Sequence, residues 1–135
     1  MLKKNNYLAD IWKMKKLGLL KSYKPTTPVN CVRSHNRNET DKHFVCKSMA
    51  VKALLDKGHT VFTEFEVPGK AVADVYDATL NIVLEFETNF DKKKEYVKLL
   101  QFKNYVNEVY VFDLDEIPEN YTQIKRFIVW RLGLN

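Results

Sequence analysis

The chain has 135 residues, 45% of them hydrophobic and 13% aromatic, with four glycines, four prolines and a net charge of +5. That length suits one domain able to bury its own core, and the composition excludes a disordered or fibrous chain and a disulfide-stapled miniprotein. Cys31 and Cys46 are too few for a disulfide framework or a zinc site and read as free thiols of a reducing, cytoplasmic compartment.

The charge is unevenly spread. Residues 1–38 carry nine Lys/Arg against the single acid Asp10, a sum of +8, while residues 39–135 carry 13 Lys/Arg and 16 Asp/Glu, a sum of −3. A basic arm on a slightly acidic body suits a protein that grips a polyanion with one part and gathers carboxylates in another; a solvated tail without a partner would carry the same charges. Within the arm, Leu8, Ile11, Trp12, Leu19 and Leu20 predict a short amphipathic helix from Tyr7 to about Ser22, interrupted near Gly18. The Pro-containing segment Lys24 to Asn38 reads as a connector, so the division falls into an arm over 1–38 and a domain over 39–135. No apolar stretch after Met1 is long enough for a signal peptide or a membrane span.

The domain opens with a helix capped by Asn38 or Thr40 and stopped at Gly58, with Phe44, Val45, Met49, Val51, Leu54 and Leu55 on its apolar positions. Thr60 to Val67 reads as a strand ending at the Pro68-Gly69 turn. Lys70 to Tyr76 and Leu80 to Glu87 are two more strands, joined by a short turn around Asp77-Ala78-Thr79. A long helix follows over about Lys92 to Val106, a fourth strand over Glu108 to Leu114, and a last helix from about Tyr121 to Leu132. The order predicts an α/β fold, a mixed four-stranded sheet flanked by helices.

Alternation along the third strand puts Glu85 and Glu87 on one face with Val83, and Leu80, Ile82, Leu84 and Phe86 on the other. A hairpin turn at 78–81 brings Asp74 opposite Glu85, so three carboxylates converge on one patch. Close like charges repel and are costly to desolvate, which calls for a compensating cation, and oxygen ligands suit Mg²⁺ or Mn²⁺ better than zinc. The same acids would also suit an ordinary solvated sheet face.

Ala73-Asp74-Val75, the ten residues to Glu85, and Leu84-Glu85-Phe86-Glu87 resemble the D-x(n)-(D/E)-x-K core of the PD-(D/E)xK, or restriction-endonuclease-like, nuclease superfamily. The element order over about residues 39–114 is similar to the αβββαβ core of that family. Gln101-Phe102-Lys103-Asn104-Tyr105 resembles the Q-x-x-x-Y helix of its RecB-like members; Lys94, Lys98, Gln101 and Tyr105 fall on one stripe by helical spacing. The resemblance implies a metal-dependent deoxyribonuclease with Asp74 and Glu85 as ligands of Mg²⁺ or Mn²⁺ and Glu87 binding the ion or orienting water. Glu39 and Glu66 are further ligand candidates; Glu64 shares a face with Glu66, and nothing in the sequence separates the two. His43, one turn after Glu39, either faces the site or lies on the helix surface.

The family's lysine is replaced here by Glu87. A minority of restriction enzymes carry Glu-x-Glu and still cut, and in other members a lysine of the following helix substitutes, here Lys94 or Lys98. The resemblance therefore leaves open an active nuclease, an inactive DNA-binding module, or a Holliday-junction-type resolvase. Lys13, Lys15, Lys16, Lys21, Arg33 and Arg37 are the expected phosphate contacts, making binding strongly salt-dependent. A homodimer through the last helix (Phe127, Ile128, Trp130 and Leu132) is a further expectation, although core packing is the favoured use of those residues. A Lys- and Asn-rich chain of this size suits a virus or mobile element.

Overall fold

The structure, a computed structural model, describes residues 7–19, 28–35, 38–69 and 71–134. Four helices, α1 (Tyr7–Lys16), α2 (Asp41–Asp56), α3 (Lys92–Phe102) and α4 (Tyr121–Arg131), accompany four strands, β1 (Val61–Glu66), β2 (Val72–Asp77), β3 (Ile82–Glu87) and β4 (Glu108–Asp113). Local chemistry sets the helix starts. Thr40, Asp91 and Asn120 each accept a backbone N–H of the first turn of α2, α3 and α4, donors that no helical carbonyl can satisfy.

The strands lie in the order β1-β2-β3-β4, the first two pairings antiparallel and β3–β4 parallel. The parallel pair requires a crossover, which α3 supplies. A tight turn joins β2 to β3: the Asp77 carboxylate accepts from the backbone N–H groups of Thr79 and Leu80 and from the His59 ring. Asn81 follows at φ 56°, a conformation asparagine tolerates better than most side chains.

Both faces of the sheet are covered. Val61, Val75, Ile82, Leu84, Phe86 and Phe112 pack on one side against Ala50 and Leu54 of α2 and Ile124 and Ile128 of α4. On the other side Phe62, Tyr76 and Val83 pack against Met14 of α1, Leu19 and Phe102 of α3. The face shared by Val83, Glu85 and Glu87 is thus a second core at one end and a polar site at the other, which corrects the expectation of a single apolar face.

The segment before residue 38 is tied into the same body. Met14 and Leu19 are fully buried. Asp10 is buried too, accepting from the Thr79 hydroxyl and pairing with Lys13. Residues 30–33 run beside β1, with Asn30 and Val61 exchanging hydrogen bonds. Core packing therefore crosses the boundary that the charge pattern and the prolines suggested.

Strands β1 and β2 each change face partway along. Phe62 and Phe65, three residues apart, lie in the same core cluster, as do Ala73 and Tyr76, where strict alternation would separate them. Glu64 sits at the change in β1 with φ 49°, a left-handed conformation that costs a non-glycine residue on the order of 1–3 kcal/mol. Asp74 sits at the change in β2, so the irregularity falls where two of the candidate acids meet.

Candidate active site

The β2–β3 ladder ends at Val75↔Leu84, and carboxylates take over beyond it. Glu85 Oε2 accepts from the Asp74 backbone N–H at 2.8 Å, and Asp74 Oδ2 accepts from the Phe86 backbone N–H at 2.9 Å. Backbone donors inside a protein need acceptors, and here the acids supply what the parted strands do not. This sets Asp74 opposite Glu85, as the hairpin spacing predicts.

Glu85 is 1% exposed, and its Oε1 is the one buried side-chain polar atom lacking a hydrogen-bond donor among the described residues. Its nearest cation is Lys98 Nζ from α3, 3.2 Å away; the same ammonium lies 3.5 Å from Glu87 Oε1. Of the two helix lysines considered from the sequence, only Lys98 reaches the acids. Lys94 turns back to donate to the Thr88 carbonyl.

Helix α2 supplies a second charged cluster. Glu39, just before it, pairs with His43 and with Lys47 at 2.8 Å. Lys47, fully buried, also meets Glu64 at 2.9 Å, and Glu64 holds His35 at 2.9 Å. The other nitrogen of His43 lies 3.3 Å from Asp74 Oδ2, joining the clusters. The spacing Glu39-x3-His43-x3-Lys47 stacks the three on one face. Glu39 and His43 lie where the helical spacing allowed; Lys47 is the residue missed, since a lone lysine in a helix reads as a surface cation.

Electrostatics divides the acids. Burial alone pushes Asp74 up, but hydrogen bonds from His43, Glu85 and the Phe86 N–H outweigh it and hold the carboxyl below the ordinary aspartate value. Glu85 moves well upward, first through burial and then through the Asp74 charge, with Lys98 opposing. One negative charge on the pair is thus favoured over two. Burial pulls His43 down, yet Asp74 and Glu39 raise it on balance; Lys98 likewise rises against its burial because of Glu85, Glu87 and Asp74.

An open cavity of about 330 Å³ is lined on one side by Glu39, Thr40 and His43 and on the other by Asp74, Glu87 and Lys98, with Glu85 and Lys47 buried behind the lining. Glu64 also lines it, whereas Glu66 is exposed at the end of β1, outside the lining; the strand's change of face separates the two. The helical stripe is not brought together. Helix α3 ends at Phe102, and Tyr105 lies in the turn beyond, its carbonyl accepting from Asn81. Gln101 is exposed, and neither Gln101 nor Tyr105 lines the cavity.

Among the described residues no three His, Cys, Asp or Glu groups are arranged as a preformed metal-ligand set. Asp74 and Glu85 meet directly, whereas Glu87 joins them only through Lys98.

The expected phosphate contacts are dispersed. Arg33 is folded back, its guanidinium donating to the carbonyls of Thr63 and Glu64. Lys13 is engaged with Asp10 and the Thr79 carbonyl. Lys15 and Lys16 are exposed, their ammoniums 5.6 and 5.2 Å from the Trp12 ring. Lys21 and Arg37 lie outside the described residues. No helix among the described residues is long and apolar enough to cross a membrane. Both cysteines are free, Cys31 exposed and Cys46 buried. Comparison with protein-family models, with curated proteins and with solved structures finds no match to this chain.

Proposed function

We propose that the chain is a metal-dependent deoxyribonuclease with a restriction-endonuclease-like core, hydrolysing DNA phosphodiesters with Mg²⁺ or Mn²⁺. The observation that carries this reading is the Asp74–Glu85 pair on parted strands, with the Lys98 ammonium 3.2 Å from the otherwise undonated Glu85 Oε1. A buried polar atom without a hydrogen-bond donor calls for an explanation, and a bound cation is one. Asp74, Glu85 and Glu87 offer oxygen donors, which suit a hard divalent ion, and these three would hold it. When bound, such an ion supplies an activated water and charge stabilisation at the phosphate.

The remaining work falls to the chain's own groups. Lys98 comes from the following helix and takes the place of the lysine that the motif lacks, since its ammonium already lies between Glu85 and Glu87. From the edge of the pocket its ammonium would face the phosphate and offset developing negative charge. His43, hydrogen-bonded between Glu39 and Asp74, fixes the orientation of the Asp74 carboxylate.

The test is cleavage of labelled single-stranded, duplex and branched DNA with Mg²⁺ or Mn²⁺ by wild type, Asp74→Ala and Glu85→Ala. Metal-dependent cutting that both substitutions reduce to background is the expected result. A preference for four-way junctions by a symmetric dimer would make the enzyme a resolvase. Salt-sensitive binding with no cutting on any substrate would overturn the nuclease and leave a DNA-binding module.

A further inference from the structure

Seven lysines belong to the spans of α1 and α3, the two helices on the Met14–Phe102 side of the sheet: Lys13, Lys15 and Lys16, then Lys92, Lys93, Lys94 and Lys98. Their pairing differs from that on the opposite face. There Lys42, Lys47, Lys52 and Lys125 each sit on a carboxylate, while Lys57 at the end of α2 and Arg126 of α4 do not among the described residues. On α1 and α3, Lys15, Lys16, Lys92 and Lys93 have no carboxylate partner among the described residues, and neither has Lys103 just beyond α3. Five unpaired ammoniums carried by or next to two helices on one side of the sheet make a surface suited to an external anion.

The same face also carries exposed aromatic rings, as α4 does on the opposite side with Tyr121 and Trp130. Trp12 is 56% exposed and Tyr96 61% exposed. Val97 and Leu100 stand open beside Tyr96, and the Trp12 ring lies between 5 and 6 Å from two lysine ammoniums. A duplex turns phosphates outward and keeps its base faces stacked, so it has nothing to offer an exposed indole or phenol. An unpaired strand offers both: phosphates for the lysines and π-faces for the rings. A base lying on Trp12 brings its own phosphate beside Lys15 and Lys16.

This face also adjoins the acidic pocket. A groove of about 500 Å³ lined by Lys93, Lys94 and Val97 shares Glu87 and Lys98 with that pocket. We propose that the α1–α3 face is the docking surface for single-stranded DNA, with Trp12 and Tyr96 as stacking platforms and Lys15, Lys16, Lys92 and Lys93 as phosphate contacts. The surface deepens the nuclease reading by naming the strand state of its substrate, and rests on that reading only for the choice of DNA.

The experiment is equilibrium binding in EDTA, so that no metal is present and no cleavage is read. Labelled oligo(dT), oligo(U) and duplex DNA, each about 20 nucleotides long, are titrated by anisotropy against the full chain. Single-stranded DNA binds more tightly than duplex at equal salt. Trp12→Ala and Tyr96→Ala each weaken that binding roughly tenfold. Lys92→Ala with Lys93→Ala lowers the salt slope by about 0.7 for each phosphate that the variant no longer neutralises. Arg126→Ala on α4 has no effect. In a Trp130→Phe background, which leaves Trp12 as the sole tryptophan, oligo(dT) quenches the indole fluorescence. Urea midpoints equal to wild type show that the variants remain folded.

Tighter binding of duplex, or affinities that Trp12→Ala and Tyr96→Ala leave unmoved, would overturn the proposal. Tighter binding of oligo(U) would overturn the assignment to DNA. Self-association that Tyr96→Ala abolishes, with DNA binding intact, would give the face to a second copy of the chain. Failure of the nuclease reading is distinguishable: a wild-type chain that binds oligo(dT) in EDTA with the Trp12 quench, yet cuts no DNA with Mg²⁺ or Mn²⁺, keeps the docking surface and loses the nuclease.

Discussion

Lys98 and Lys47 are both helical lysines held by two glutamates, yet their settings assign them different work. Lys98 is partly exposed and opens onto the pocket. On the nuclease reading, Lys98→Ala lowers turnover on the order of 100- to 1,000-fold. Lys94→Ala, whose ammonium is spent on the Thr88 carbonyl, has a much smaller effect; single-turnover rates with Mg²⁺ compare the two. Lys47 is fully buried between Glu39 and Glu64. Removing it leaves two carboxylates facing each other without a cation, so Lys47→Met should cost roughly 3–5 kcal/mol in urea denaturation. A cost below about 1 kcal/mol would mean that the acids take up protons or water in its place.

At the scale of elements, α1 is the part whose role changes most between sequence and structure. Its Met14 is fully buried against the Phe62–Tyr76–Val83 face, and Met14→Ala should cost about 2–5 kcal/mol by loss of transfer energy and cavity formation. A detached arm would show no change in the urea midpoint. Asp10 locks the same helix to the β2–β3 turn. Burial pushes its carboxyl up, but hydrogen bonds from Thr79, Thr60 and Lys13 prevail and leave it below the ordinary value of 3.8. A depressed folded pKa stabilises the fold fully above that ordinary value, and the contribution is lost as pH falls through the lower folded one. Urea midpoints measured downward from about pH 5 should therefore fall in wild type, with a shallower fall in Asp10→Asn. Parallel curves would show that Asp10 contributes no pH dependence.

For the whole molecule, the division that matters is between the two sides of the sheet rather than between an arm and a body. The α2–α4 side pairs Lys42, Lys47, Lys52 and Lys125 internally and contributes Glu39 and His43 to the pocket. The α1–α3 side leaves most of its lysines open and contributes Lys98. The acidic pocket draws on both, so on the nuclease reading negative charge is concentrated where the anionic substrate approaches. That arrangement requires compensation by cations, and salt should weaken nucleic-acid binding steeply through the lysine-rich side. A binding constant insensitive to salt between about 50 and 200 mM would contradict the assignment of that side to phosphate contact.

Much of this architecture was legible in the residues. The α2 pattern ending at Gly58, the β-branched and aromatic runs of β1 to β4, and the turn residues before β3 located α2 to α4 and the four strands to within a few positions, whereas α1, expected to about Ser22, ends at Lys16; hydrophobic period and turn chemistry are local properties. The hairpin spacing placed Asp74 opposite Glu85 for the same reason. What the residues could not decide depends on contacts between distant segments. Glu64 and Glu66 look alike until the left-handed turn at Glu64 puts one in the pocket and leaves the other in solvent. Lys94 and Lys98 are separated only by how α3 lies on the sheet, and Arg33 is taken from the expected anion-binding set by carbonyls 30 and 31 positions away. Sequence thus determined which segments are helix or strand and which acids pair across a turn. Tertiary structure alone decided which charges are buried together, since burial is set by the packing of elements that no local pattern records.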